Sequence, residues 1–340
     1  MTFFSILIAL AIEQIKSLGS HNPVYEAVRV MATGAERRLN AGEILHGRVA
    51  WFLVMIPLLL LAAIPYWILL RINPAFALLW NVVVLYLTLG FRQFSHPFTE
   101  IQLALSNGQL DEARRRLSDW LNIDAADFDT SEVCRRTIEA ALLASHRHVF
   151  GVFFWFLLPI GPAGAVLYRV AEYLARSWNR PDQPEEAAFG HFAKMVFEWI
   201  DWLPARLTAV GFAIVGNFED ALYAWRNFAS DWGNRTAGII LAAASGALGV
   251  HLQPMAKKNE GASPLVPEAA ALQKQEDVYS ETGIFFGSTP RSLTDFDPGA
   301  EPPGDAPTTK TLQSAVGLVW RAVVLWMLML FMITVAVWLS

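Results

Sequence analysis

Trp51–Leu70 reads WFLVMIPLLLLAAIPYWILL, twenty residues without a charge. A helix rises about 1.5 Å per residue, so this stretch matches the hydrocarbon core of a bilayer, about 30 Å thick. Pro57 and Pro65 predict kinks, which membrane helices tolerate when neighbours satisfy the freed carbonyls. Arg71-Ile72-Asn73-Pro74 makes a tight turn, and Ala75–Phe91 runs back uncharged until Arg92. The two runs predict a helical hairpin across a membrane.

The rest of the 340-residue chain agrees. Hydrophobic residues make up 54% and charged residues 17%, and mean hydropathy is +0.35. Soluble domains carry about a quarter charged residues, so an integral membrane protein is the class that fits. Net charge is −5, which gives a nucleic-acid binder no support. Cys134 is the single cysteine, so neither an intramolecular disulfide nor a cysteine zinc cluster can form.

Working outward, Val149–Tyr168 is a third apolar run, bracketed by Arg147 and Arg169, with Pro159-Ile160-Gly161-Pro162-Ala163-Gly164 at its centre. That centre is a poor helix. The run is one broken span, a re-entrant hairpin, or two short helices joined near the surface. Ala322–Leu339 is a C-terminal span; Leu207–Phe218 is short; Thr236–Leu252, rich in Gly, Ala and Ser, reads as a packed interior helix. Met1–Ile12 is apolar but too short to span alone.

Lys and Arg flank the hairpin on both sides: Lys16, Arg29, Arg37, Arg38 and Arg48 before it, Arg92, Arg114–Arg116, Arg135, Arg136 and Arg147 after it. Both flanks are therefore expected in the cytoplasm. Between them lies a helical insert. Gln109–Leu121 has an apolar face at helical spacing, and Asp129-Thr130-Ser131-Glu132 is an Asp variant of a capping box. Gln253–Lys310 is rich in Pro, Gly and acids, the composition of a disordered connector, with Val278–Gly287 as a stretch able to dock. The expected division is an N-terminal amphipathic segment (1–50), a transmembrane hairpin (51–91), a cytoplasmic insert (92–148), a membrane-embedded core (149–252), the connector (253–310) and a C-terminal transmembrane helix (311–340). The fold class is all-α and polytopic, with about four to six membrane-embedded helices.

The order of several blocks resembles the CobD/CbiB superfamily. These are Asn22-Pro23-Val24 with Glu36-Arg37-Arg38-Leu39-Asn40, Leu105–Arg114, Gly161–Ala165 with Tyr168-Arg169, Trp202–Ala209, Ser245–Val250 and Pro307–Trp326. The resemblance implies a bacterial inner-membrane protein that joins an aminopropanol, or its phosphate, to a corrinoid as an amide. Departures fall on polar residues. The family's E-N-x-x-D positions are here Leu143, Ala144 and Arg147, its S-P-N is Asn234-Arg235-Thr236, and its paired acids and following Asn are Phe197, Glu198 and Asp201. ATP and Mg²⁺ are implied only if the family reaction is retained. Ser145-His146-Arg147-His148 with Phe154-Trp155-Phe156 is similar to the AmpE branch, whose members are membrane regulators linked to β-lactam response, so a non-catalytic regulator is the alternative.

Glu139, Glu198 and Asp201 are the candidate catalytic residues. Arg136, Arg169, Arg206, Gly161, Pro162 and Gly164 are the candidates for substrate binding, and no residue is assigned to a metal. Each has a plainer reading. Glu198 and Asp201, three apart beside Arg206, are equally a structural ion pair, and Glu139 a helix pair with Arg135 and Arg136. His146 and His148 are either metal ligands or an interfacial anchor, the latter favoured because no carboxylate is nearby in sequence. Glu100, Asp111 and Asp124 read as surface acids. The expected partners are the lipid bilayer and a corrinoid intermediate.

Overall fold

The computed structural model describes residues 2–16, 22–40, 43–179, 187–232, 234–252 and 304–339. The connector's residues 253–303, with Val278–Gly287, lie outside them. All regular elements among the described residues are helices: α1 (Thr2–Ile15), α2 (Pro23–Leu39), α3 (Ile44–Ile72), α4 (Pro74–Thr88), α5 (Phe91–Ser106), α6 (Leu110–Leu121), α7 (Thr130–Ser145), α8 (Gly151–Leu157), α9 (Pro162–Ser177), α10 (Ala187–Val215), α11 (Phe218–Phe228), α12 (Arg235–Leu248) and α13 (Thr309–Leu339). A π-helical turn, His146–Phe150, joins α7 to α8 without a break.

Three helices among them are long and apolar enough to cross a membrane: Ile44–Ile72, Thr130–Leu157 and Thr309–Ala336. A fourth crossing results if Pro74–Thr88 and Gln93–Ser106, bent by 43° across the break between them, form one span. The protein is thus an all-α polytopic membrane protein. The spans differ in exposure. Only 17% of the α3 window is buried inside the protein, against 56% for α7–α8. The outer face of α3 presents Phe52, Leu53, Ile56, Leu60 and Ile64, the surface a lipid chain would cover. The α7–α8 helix is interior and polar side chains on it must find partners in the protein.

The hairpin read from Trp51–Leu70 is present. Asn73 caps α4 by accepting from the Ala75 amide at 2.8 Å, and Pro74 occupies the first helical position. Both prolines lie inside α3. Trp80 of α4 donates its indole N–H to the Ala62 carbonyl at 2.9 Å, next to Leu61, whose carbonyl lacks its usual donor because Pro65 has no N–H.

The Pro/Gly break resolves into a tight helical hairpin. α8 ends at Leu157, the chain turns, and α9 starts at Pro162. Gly161 holds φ +59° and ψ −132°, a conformation closed to residues with a Cβ. At Gly164 an added Cβ would stand 2.0 Å from the Trp155 carbonyl oxygen, so the absence of a side chain lets α9 lie directly against α8. Pro162 and Gly164 are buried.

Elsewhere the expected short run Leu207–Phe218 is the end of a 29-residue helix, α10, which continues through Pro204. Its charges lower the hydropathy of the first half, but Asp201 is buried against protein rather than lipid. α12 is interior, with its residues from Gly238 to Ala247 all buried, as its small side chains suggested.

In the insert, α6 and α7 form as the periodicity predicts. Asp129 accepts from the Glu132 amide at 2.7 Å, completing one half of the capping box. Glu132 turns instead to Arg135 and Arg136. Glu112 accepts from Arg115 and Arg116, and those hydrogen bonds hold its carboxyl below the usual range. Glu100 pairs with Arg116 and Asp111 with Arg114, and Asp124 accepts from the Ala126 amide. The ends flanking residues 253–303 are pinned together. His251 donates to the Asp305 carbonyl at 2.9 Å, and Asp305 donates to the Gly249 carbonyl at 3.1 Å.

Candidate functional site

Two polar regions flank the α7–α9 hairpin. The first is closed. His146, at the start of the π turn, is 1% exposed. Its Nε2 lies 2.8 Å from Asp201 Oδ1 and its Nδ1 2.9 Å from Thr208 Oγ1. Tyr168 of α9 donates its hydroxyl to the same Asp201 oxygen at 2.8 Å. Thr208 also reaches the Pro204 carbonyl at 3.0 Å. If the Thr208 proton goes to that carbonyl, His146 donates from both nitrogens and is an imidazolium facing a carboxylate. If it goes to Nδ1, the ring is neutral. Either way the cluster ties α7, α9 and α10 together with each named group satisfied.

This differs from the sequence reading of His146 as an interfacial anchor. Its carboxylate partner exists but comes from 55 residues away. Glu198, one turn before Asp201, is exposed. The two acids share a helix but not an environment, because the turn between them crosses from protein interior to outer surface.

The second region is a cavity of about 390 Å³ between α2, α3, α4 and α9. Leu58, Leu61, Trp80 and Val84 form an apolar wall. The opposite wall comes from α9, whose Val166, Arg169, Val170 and Tyr173 recur at helical spacing. Arg169 is 9% exposed. Its Nη1 lies 3.4 Å from Glu172 Oε2, and Arg176 Nε lies 3.4 Å from Glu172 Oε1. His148 enters from the π turn, and an added Cβ on Gly90 would stand 2.4 Å from its Nδ1. π turns recur at functional sites, and here the turn presents one histidine to each region.

Of the residues singled out from sequence, Arg169 lines the cavity. Asp201 sits in the closed cluster. Gly161, Pro162 and Gly164 build the hairpin tip, and none lines the cavity. Glu139 lies about two turns before the π turn, near the middle of α7, with Arg135 Nη1 at 2.6 Å and Arg136 Nη1 at 3.8 Å. Arg206 lies 4.0 Å over the Trp202 ring and donates to the Trp202 carbonyl. Sequence reading passed over Tyr25, Tyr168 and Thr208. The last two stood inside the quoted family blocks, but nothing local marked them as polar groups in a core.

These features define a class: a polytopic helical membrane protein with a partly open cavity that is apolar along one wall and lined by paired charges on the other. The chain belongs to the CobD/CbiB family; the family model described as CobD/Cbib protein matches residues 5–279. It is 32% identical over 285 residues to the cobalamin biosynthesis protein CobD of Stutzerimonas stutzeri, covering 84% of this chain and 81% of that one. It is 35% identical over 208 residues to the CobD protein of Chromobacterium violaceum, covering 61% and 64%. The probable CobD protein of Thermoplasma acidophilum is 24% identical over 241 residues, covering 68% and 79%. No solved structure matches the chain. The AmpE-like alternative finds no support in these similarities.

Among the described residues, no group of three or more His, Cys, Asp or Glu stands close enough to hold a metal ion. The acids at the cavity and the cluster are paired, Glu26 with Arg29, Glu172 with two guanidinium groups and Asp201 with His146 and Tyr168.

Proposed function

We propose that the protein acts in cobalamin biosynthesis as an integral protein of the bacterial inner membrane, with the insert between α5 and α7 (residues 107–129) on the cytoplasmic side, narrower than the expected 92–148 because Thr130–Leu157 is itself long and apolar enough to cross, and that its substrate is a corrinoid intermediate. The family supports the pathway, and the resemblance implies the step, amide joining of an aminopropanol to the corrinoid. The observation that carries the site is the cavity between α2, α3, α4 and α9, an apolar wall facing Arg169. At about 390 Å³ it is near the lower end of small-molecule pockets. It accommodates one side arm of a corrinoid, or the smaller co-substrate, while the macrocycle stays outside. In this reading Arg169 binds substrate. Asp201 acts as a positioning residue: it holds His146, which sets the π turn and so the direction of His148. Glu139, Glu198, Arg136 and Arg206 stand away from this cavity, and a direct role for them requires a second surface.

The test is complementation of a strain lacking the cobinamide-forming step. Expression of this chain should restore growth on medium where cobalamin must be completed from cobyric acid. Absence of growth with normal protein levels in the membrane overturns the proposal.

A further inference from the structure

We propose that the outer face of α10 around Trp202 is the surface on which a second copy of this chain docks, with Glu198 of each copy set against Arg206 of the other. Glu198 is exposed and Arg206 half-exposed. Their neighbours on this face, Trp199, Trp202, Leu203, Leu207 and Val210, are exposed apolar residues. That stripe alone would suit lipid, but the two charges do not. Asp201, between them, is bonded to His146, which lies well inside the span Thr130–Leu157. A rise of about 1.5 Å per residue keeps Glu198 and Arg206 near that depth. Charged side chains at such depth almost always face protein or a water-filled cavity, because hydrocarbon cannot solvate them. Among the described residues Glu198 forms no ion pair. Arg206 lies over the Trp202 ring and donates to the Trp202 carbonyl, and Arg235 is near enough to add a second positive charge. The face therefore carries an anion at one end and cations at the other, and a copy of itself supplies what each end lacks.

The path of α10 sets the geometry. At its start, an added Cβ on Gly47, at the head of α3, would stand 2.1 Å from the Phe189 carbonyl oxygen. Just past its end, an added Cβ on Gly216 would stand 2.6 Å from Ala247 Cβ. Ala247 lies at the end of α12, and the chain from there soon reaches Leu252, whose carbonyl accepts from Arg135 near the start of α7. The starts of α3 and α7 share a side, because the far ends of α3 and α8 meet where Tyr66 stands beside Gly161. Both ends of α10 thus lie toward one side, and its middle runs across the membrane normal, with Pro204 inside the helix where a bend is favoured. Two copies in one bilayer share an orientation, so their two-fold axis runs along that normal, and an isologous contact pairs residue i with j and j with i. Trp202 stands four residues from Glu198 and four from Arg206. An axis beside Trp202 therefore brings each Glu198 to the second copy's Arg206, around a residue type enriched at interface centres.

The full chain carrying Leu203→Cys is reconstituted in phosphatidylcholine vesicles at high lipid excess and oxidised with copper phenanthroline. Cys134 is buried, so the parent chain should not cross-link. Leu203→Cys, next to the axis, should give a band of twice the chain mass on a non-reducing gel. Leu60→Cys, on the exposed outer face of α3, should not. Glu198→Arg or Arg206→Glu, each combined with Leu203→Cys, should lower the dimer band at least fivefold, and the two reversals together should restore it. Restoration also shows that the single variants fail to pair rather than to fold. A missing Leu203→Cys cross-link, an equal band from Leu60→Cys, single reversals without effect, or a double reversal without rescue each overturns the inference.

Discussion

His146 and His148 stand two residues apart on one π turn and live in opposite circumstances. His146 is locked among Asp201, Thr208 and Tyr168. His148 faces a cavity where it, Tyr25 and Arg169 each leave a buried atom unpaired. In a membrane interior both arrangements are costly to build, because nothing in the hydrocarbon can bond a stray polar group. The closed cluster offsets that cost within the chain and therefore reads as architecture. The open one is offset only when something else arrives, and therefore reads as a site.

The comparison breaks most visibly at Asp201. Asp201→Ala should strand His146 and Tyr168 in the core and destabilise by about 1–3 kcal/mol for each buried donor left unpaired. Thermal unfolding in detergent measures this, and an unchanged melting temperature would show that the cluster holds nothing together. Tyr168→Phe deletes a hydrogen bond to a charged acceptor and should cost about 1.5–3 kcal/mol in the same assay. Asp129→Ala, in the insert and outside both regions, should cost about 1 kcal/mol through loss of the α7 cap. It calibrates the assay on a feature unrelated to the membrane. The smallest effect belongs to Tyr25→Phe. Its hydroxyl neighbours Arg169 without a well-formed hydrogen bond, so stability should stay within about 0.5 kcal/mol of wild type. A loss as large as that of Tyr168→Phe would mean the two tyrosines are equivalent and the contrast is false.

Much of the architecture was legible because its causes are local. Trp51–Leu70 lies within α3, Ala322–Leu339 within α13, and the Asn73-Pro74 turn separates α3 from α4. Apolar length, proline and glycine act on the residues beside them, and a single sequence displays them. The break at Pro159–Gly164 was equally visible, though its outcome was not. Whether the chain crosses there or folds back depends on Gly164 meeting Trp155, a contact between two helices.

The site was less legible. Arg169 came from a family block and does line the cavity. Glu198 and Asp201 looked alike in sequence, yet one is exposed and the other 3% exposed in the core. His146 was judged to lack a carboxylate because only neighbours in sequence could be inspected.

By itself, the sequence determined that this chain is helical, polytopic and built on the CobD/CbiB pattern, because hydrophobic length and block order are written in one dimension. Only the tertiary structure decided which buried polar groups are satisfied and which are waiting. That is a property of atoms brought together from α2, α7, α9 and α10, and no local pattern encodes it.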